Sequence, residues 1–204
     1  MSSERTLESY INAVASAAPA PGGGSVVGVV GALSAALGQM VLTFTDAPNE
    51  QSEAQVNAVL TALQACQSRL MHAAGEDEAA YRGYRDAADL PRGTADEKAA
   101  RKSAMQAALI AATDVPLAMA EQAARMAVLL TEVAEIGSRQ LASDTALSAL
   151  LAEATLRGAL LNVRGNAALL KDAGKAQHYR EVADRLEGEG RRAAAMALEI
   201  ASTV

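Results

Sequence analysis

PAPGGGSVVGVVGALSAALGQMV, residues 19–41, is the stretch on which the reading of this chain turns. Two prolines and three consecutive glycines stop whatever precedes them, and an uncharged run of small and aliphatic residues follows. No Asp, Glu, Lys or Arg occurs between 9 and 45, and 22–44 is long enough to cross a bilayer. Yet the run is mostly Ala, Gly, Val and Ser, Gln39 sits inside it, and no basic cluster flanks it. A helix that is apolar all round is buried in something, and the better fit is the central helix of a bundle rather than a membrane span. Gly24, Gly28, Ala32 and Ala36 line up four apart, with Gly31, Ala35 and Gly38 as a second small row. Rows at that spacing share a helix face and let a neighbouring backbone come close.

The head of the same stretch has a second reading. Pro21-Gly22-Gly23-Gly24 brings backbone N–H groups to a helix N-terminus, which attracts carboxylates and phosphates. No Lys-Ser/Thr follows the glycines and no strand precedes them, so this is neither a P-loop nor a dinucleotide fingerprint. Close helix packing is the ordinary explanation, and ligand contact by Gly22, Gly23, Gly24 and Ser25 the functional one.

Composition agrees with a helical bundle. Half of the 204 residues are apolar but only 2% are aromatic, so the core must come from close backbone approach rather than bulky side chains. That suits helices better than a β-sandwich. The length is right for one domain, 1–204. A net charge of −6 argues against a nucleic-acid partner. The single cysteine, Cys66, excludes a disulfide framework and a cysteine-based metal site. MSSERTLESY has no basic segment leading into an apolar one, so a cytoplasmic location is expected.

Outward from the opening stretch, the pattern predicts six helices. The first covers 6–18. Ser25 is expected to cap the second, to about 45. A long third runs over about 52–88. Thr94 and Glu97 form a capping box for the fourth, in which Pro116 cannot donate to the Ala112 carbonyl and a kink or restart is expected. Ser143 is expected to cap the fifth, to about 172, with Gly174 separating it from the last. The fold expected is all-α, a bundle of long antiparallel helices.

Two of these helices carry candidate chemistry. The third has an apolar stripe of Val56, Leu60, Leu63, Cys66, Leu70 and Ala74, whose next positions are Asp77, Tyr81, Tyr84 and Ala88. A carboxylate on an inward face loses hydration, its pKa rises, and it becomes suited to proton transfer near neutrality. The competing view is that GEDEAAYRGYRD, an acidic helix end, is simply a solvated face. The fifth helix shows a stripe of Leu147, Leu151, Ala154, Gly158, Leu161 and Gly165, with Asn162 and Asn166 beside it on one face. Paired amides can hold the donor and acceptor edge of a heterocycle, or hydrogen-bond within the bundle. Asp144, after Ser143, reads first as a helix start. His72 and His178 are far apart, and no His/Glu spacing suggests a metal.

PAPGGGSVVGVVGALSAALGQMV, EDEAAYRGYRDAADLPRGTADEKAARKSAMQAAL, ATDVPLAMA, SD at 143–144 and GALLNVRGN at 158–166, in this order, resemble the cyclodeaminase/cyclohydrolase family of folate one-carbon enzymes. The resemblance implies a dimeric all-helical bundle with a folate cleft, and no metal or redox cofactor beyond the tetrahydrofolate substrate. It implies one of two reactions. The first hydrolyses 5,10-methenyltetrahydrofolate to 10-formyltetrahydrofolate. The second closes 5-formiminotetrahydrofolate to the methenyl compound with release of ammonia. It makes Asp77, four residues before the aromatic Tyr81, the catalytic acid/base, and Gly22, Gly23, Gly24, Ser25, Tyr81, Asp144, Asn162 and Asn166 candidates for the substrate.

The chain departs from the family pattern at basic positions. TDAPNEQS, after the second helix, has no Lys or Arg; Gly137-Ser138 stands for the usual Gly-Asn, and Ala168 for a frequent Lys. Arg157, Arg164 and Lys171 are the basic residues left nearby to meet an anionic folate. The cyclohydrolase reaction is favoured, with the cyclodeaminase second. A non-catalytic helical dimer that binds a ligand or protein partner is the reading from another class.

Overall fold

A computed structural model describes residues 6–203. The elements are α1 Leu7–Val14, α2 Gly23–Thr43, α3 Glu50–Ala88, α4 Ala95–Ile136, a 3-10 turn at Arg139–Leu141, α5 Ala142–Ala167 and α6 Ala173–Ser202, and no strand occurs among the described residues. α4 packs against α3, α5 and α6, and α2 lies between α3 and α5. This is the all-α bundle expected. α2, α4 and the segment ending in α5 are long and apolar enough to cross a membrane by length and composition.

The small-residue rows of α2 do what their spacing predicts. A Cβ on Gly28 would sit 2.7 Å from the Leu70 carbonyl oxygen, so α2 and α3 are in backbone contact there. Toward α5, Gly31 faces Thr155, and Gly38 faces Leu130, Leu63 and Ser148. Ser34 and Ser148 bridge the two helices reciprocally, each hydroxyl donating to the other's carbonyl at 2.8 and 2.7 Å. Polar groups this deep are tolerated because each is paired.

Several local expectations change. α1 is shorter than 6–18, and its one buried side chain, Tyr10, ties it to the bundle. Gly22, not Ser25, caps α2, and Ser25 lies in the first turn. Asn49 caps α3, while Thr94 and Glu97 form the capping box as read. Ser143 caps nothing: α5 begins at Ala142, after the 3-10 turn. α5 ends at Ala167, Asp172 caps α6, and Gly174 lies within α6's first turn. α4 does not restart at Pro116 but runs unbroken to Ile136. Its orphaned Ala112 carbonyl accepts the Asn166 Nδ2 hydrogen at 2.8 Å, so a side chain of α5 replaces the missing backbone donor.

The α5 stripe is inverted. Leu147 and Leu161 are exposed, and Thr145, Ser148, Ala152, Thr155, Leu156, Ala159 and Leu160 face the core instead. Ser148 and Thr155 are small where α2 comes closest, against Ser34 and Gly31.

Candidate active site

The residues read as functional meet where α2 begins. A cleft of about 370 Å³ is lined by the 19–24 loop, by Asp77, Glu78, Tyr81 and Tyr84 of α3, by Leu109 and Ala112 of α4, and by Asn162, Asn166 and Leu169 at the end of α5. The loop enters through a cis Ala20–Pro21 peptide bond.

Asp77 is seated against the first turn of α2. A Cβ on Gly24 would fall within 2.5 Å of Asp77 Oδ2, so only glycine lets the carboxylate in. There it accepts the Ser25 backbone N–H. The helix N-terminus therefore has its carboxylate, and it is the protein's own: Asp77 supplies the cap that Gly22 lacks. Burial pushes the Asp77 carboxyl above the ordinary aspartate range, the Ser25 amide pulls it back in part, and the neighbouring Glu78 charge adds to the rise. An acid held this way exchanges protons closer to neutrality than a solvated aspartate does.

Behind it lies a polar chain that the sequence reading missed. Ser25 Oγ donates to Glu78 Oε1 at 3.2 Å, and the Tyr10 hydroxyl lies 3.1 Å from the same Ser25 oxygen. Ser25 has one hydroxyl proton, so Tyr10 donates to it. Glu78 is buried, with Arg82 Nη1 3.8 Å from its other oxygen. The clue was in the spacing: counting four from Leu70 gives Ala74 and then Glu78, and the core face of α3 drifts from Asp77 toward Glu78.

Across the cleft, Asn162 donates its amide hydrogen to the Gly158 carbonyl at 3.3 Å, and Asn166 to Ala112. Each side chain uses one of its two amide N–H donors inside the protein, which leaves a second N–H and the carbonyl oxygen for a ligand. Tyr81, 39% exposed, stands at the rim. Of the nine candidates, Gly22, Gly23, Gly24, Asp77, Tyr81, Asn162 and Asn166 line the cleft, and Ser25 holds Asp77 from behind. Asp144 does not join them. It lies in the first turn of α5, roughly 27 Å from Asn162 at 1.5 Å per residue.

This constellation can be matched to known proteins. A family model described as formiminotransferase-cyclodeaminase covers residues 6–185. The chain belongs to the formiminotransferase-cyclodeaminase family. It is 36% identical to a methenyltetrahydrofolate cyclohydrolase of Methylorubrum extorquens, over 100% of this chain and 98% of that protein. It is 32% identical to the formimidoyltransferase-cyclodeaminase of Sus scrofa over 96% of this chain but 36% of that relative, so it spans about a third of the latter. Among solved structures it is similar to formiminotetrahydrofolate cyclodeaminase from Thermotoga maritima, with a TM-score of 0.87, 26% identity, and 98% and 97% of the two chains covered. The cleft of this family member thus lies in a fold shared with proteins of both names.

Proposed function

We propose that the protein hydrolyses 5,10-methenyltetrahydrofolate to 10-formyltetrahydrofolate, with Asp77 as the acid/base. The observation that carries this is the half-buried Asp77 carboxylate, raised in pKa, on the wall of a cleft rich in hydrogen-bond acceptors. The substrate's bridging carbon belongs to an amidinium cation, which a wall of Asp77, Glu78 and the two Asn carbonyl oxygens attracts. Asp77 takes a proton from water as its oxygen bonds to that carbon. A tetrahedral intermediate forms between N5 and N10. The C–N5 bond then breaks, N5 receives the proton from Asp77, and the hydroxyl of the intermediate loses its own to become the formyl group. One proton leaves to solvent, and no step needs a metal or redox cofactor. The match over nearly the full length of a cyclohydrolase favours this direction.

Ring closure of 5-formiminotetrahydrofolate is the second reading, supported by the Thermotoga maritima fold. There the same group would protonate the departing ammonia. Both are tested together by following the methenyl absorbance with each substrate. Decay of added methenyltetrahydrofolate supports the first, a rise with ammonia release from the formimino compound supports the second, and no change with either rejects both.

We also place the protein in solution as a homodimer. α2 and α5 pack side by side and leave Leu33, Leu147, Leu150 and Leu161 exposed at 57%, 48%, 48% and 71%. Apolar patches of this kind mark contact surfaces. Sedimentation should return twice the chain mass of 20.9 kDa, and a monomer would overturn the assignment.

A further inference from the structure

The cleft holds more negative charge than a single acid/base requires. Among the described residues that line it are two carboxylates, Asp77 and Glu78, and no Lys, Arg or His. Both are anchored on one residue. The Ser25 backbone N–H donates to Asp77, and the Ser25 hydroxyl donates to Glu78 Oε1 at 3.2 Å. The Tyr10 hydroxyl, 3.1 Å from Ser25 Oγ, donates to that oxygen from behind, so the one Ser25 proton is kept for Glu78. Glu78 is buried, and a buried carboxylate is retained only where such donors hold it. Arg82 Nη1, on an exposed side chain, reaches Glu78 Oε2 at 3.8 Å, so solvent screens this pair.

A second carboxylate is not needed for the proton work. Hydrolysis asks one group to take a proton from water and return it to N5, and Asp77 does both. What Glu78 supplies is a fixed negative charge. The bridge of the substrate is a cation, whereas the tetrahedral carbon and the formyl group that follow it are neutral. A fixed negative charge therefore stabilises the bound substrate more than anything formed from it. Its effect falls on binding rather than on turnover, and it does nothing to retain the product.

We infer that Glu78 is the specificity-determining residue of the cleft: held by Ser25 and Tyr10, its carboxylate is the counter-charge for the amidinium bridge and selects the cationic ring over neutral folates of similar size. This rests on the folate reading. It divides the labour of two adjacent residues, with Asp77 moving protons and Glu78 supplying charge. Ser25 keeps the two apart, its amide on one and its hydroxyl on the other.

The test is a cycle between protein and ligand charge. Wild type, E78Q and E78D are assayed with 5,10-methenyltetrahydrofolate as substrate, and with 5-formyltetrahydrofolate, neutral at the same atoms, as competitive inhibitor. On the plateau of the pH profile E78Q should raise KM for the cation about tenfold, the effect of one partly buried charge contact, with kcat moving by less than about threefold. Ki for the neutral compound should stay within about twofold, and E78D, which keeps the charge, should hold KM within about threefold of wild type. Glutamine has the shape of glutamate and still accepts the Ser25 hydroxyl. KM and Ki also do not depend on how much of the protein is folded, so a less stable variant gives the same reading. An unchanged KM, an equal loss for both ligands, a loss carried by kcat, or an E78D that fails as E78Q does overturns the assignment. If wild type neither turns over the methenyl compound nor binds the formyl one, the folate reading itself falls, an outcome distinct from the others.

Discussion

Asp77→Asn lowers turnover by about 10²- to 10⁴-fold, the usual contribution of a positioned acid/base, while the helical content and the oligomer are kept. Asparagine has the same shape, and its carbonyl oxygen can still accept the Ser25 N–H, but it cannot carry a proton between water and N5. The substitution should also make the fold more stable at neutral pH. Burial raises the Asp77 pKa above the ordinary 3.8, so the folded state prefers the protonated form. The stability that this preference supplies is present at low pH. It is lost as pH rises from the ordinary aspartate value through the raised one. Asparagine, neutral throughout, escapes that loss. Thermal melts at pH 7 should therefore give a Tm at or above that of wild type, and kcat/KM of the wild type should climb with pH through the same window as the carboxylate forms. A variant that loses activity and melts well below wild type would show that Asp77 supports the fold rather than the chemistry. One that keeps activity would remove it from the mechanism.

Gly24→Ala should cost nearly as much activity through a different cause. Its Cβ would overlap the Asp77 carboxylate, which must swing off the Ser25 N–H. A displacement of about 1 Å in a reacting group can cost 10²-fold, so kcat/KM should fall by about that much. The fold should survive, because what must move is the end of a short side chain. The contrast is Gly28, where the obstacle is the Leu70 backbone oxygen and cannot move. Gly83→Ala is the control. A Cβ there meets nothing within 4 Å, and alanine inside an exposed helix should stabilise by about 0.5–1 kcal/mol. Gly24→Ala combined with Asp77→Asn should be no worse than Asp77→Asn alone, since both act through one carboxylate. Fully additive losses would show that Gly24 serves the ligand directly.

What could be read without a structure was local or periodic. Thr94 and Glu97 announced their capping box because both partners lie within one turn. The α2 rows of Gly24, Gly28 and Ala32 announced close packing because helix geometry alone puts them on one face. Asp77 stood out because an acidic residue interrupted an apolar stripe. The α5 stripe misled because Leu147 and Leu161 are large apolar residues, and size is usually the mark of a core. Here α2 approaches so closely that Ser148, Thr155 and Ala159 take the inside. Ser25 and Ser143 failed as caps for a related reason: a hydroxyl caps a helix only if the chain enters at that residue, and it enters at Gly22 and after the 3-10 turn.

The sequence by itself determined that the chain is a bundle of six helices and that an acid sits on the third, since composition, period and breaker residues act over one or two turns. Only the tertiary structure decided what surrounds that acid. It is α3 docking on the first turn of α2 that takes Asp77 out of water and hands it the Ser25 amide. The meeting of α4 with α5 gives Asn166 to the Ala112 carbonyl and the Lys171 backbone N–H to the Gln106 side chain. These partners lie far apart in the chain, and desolvation, like charge–charge repulsion, depends on distance in space.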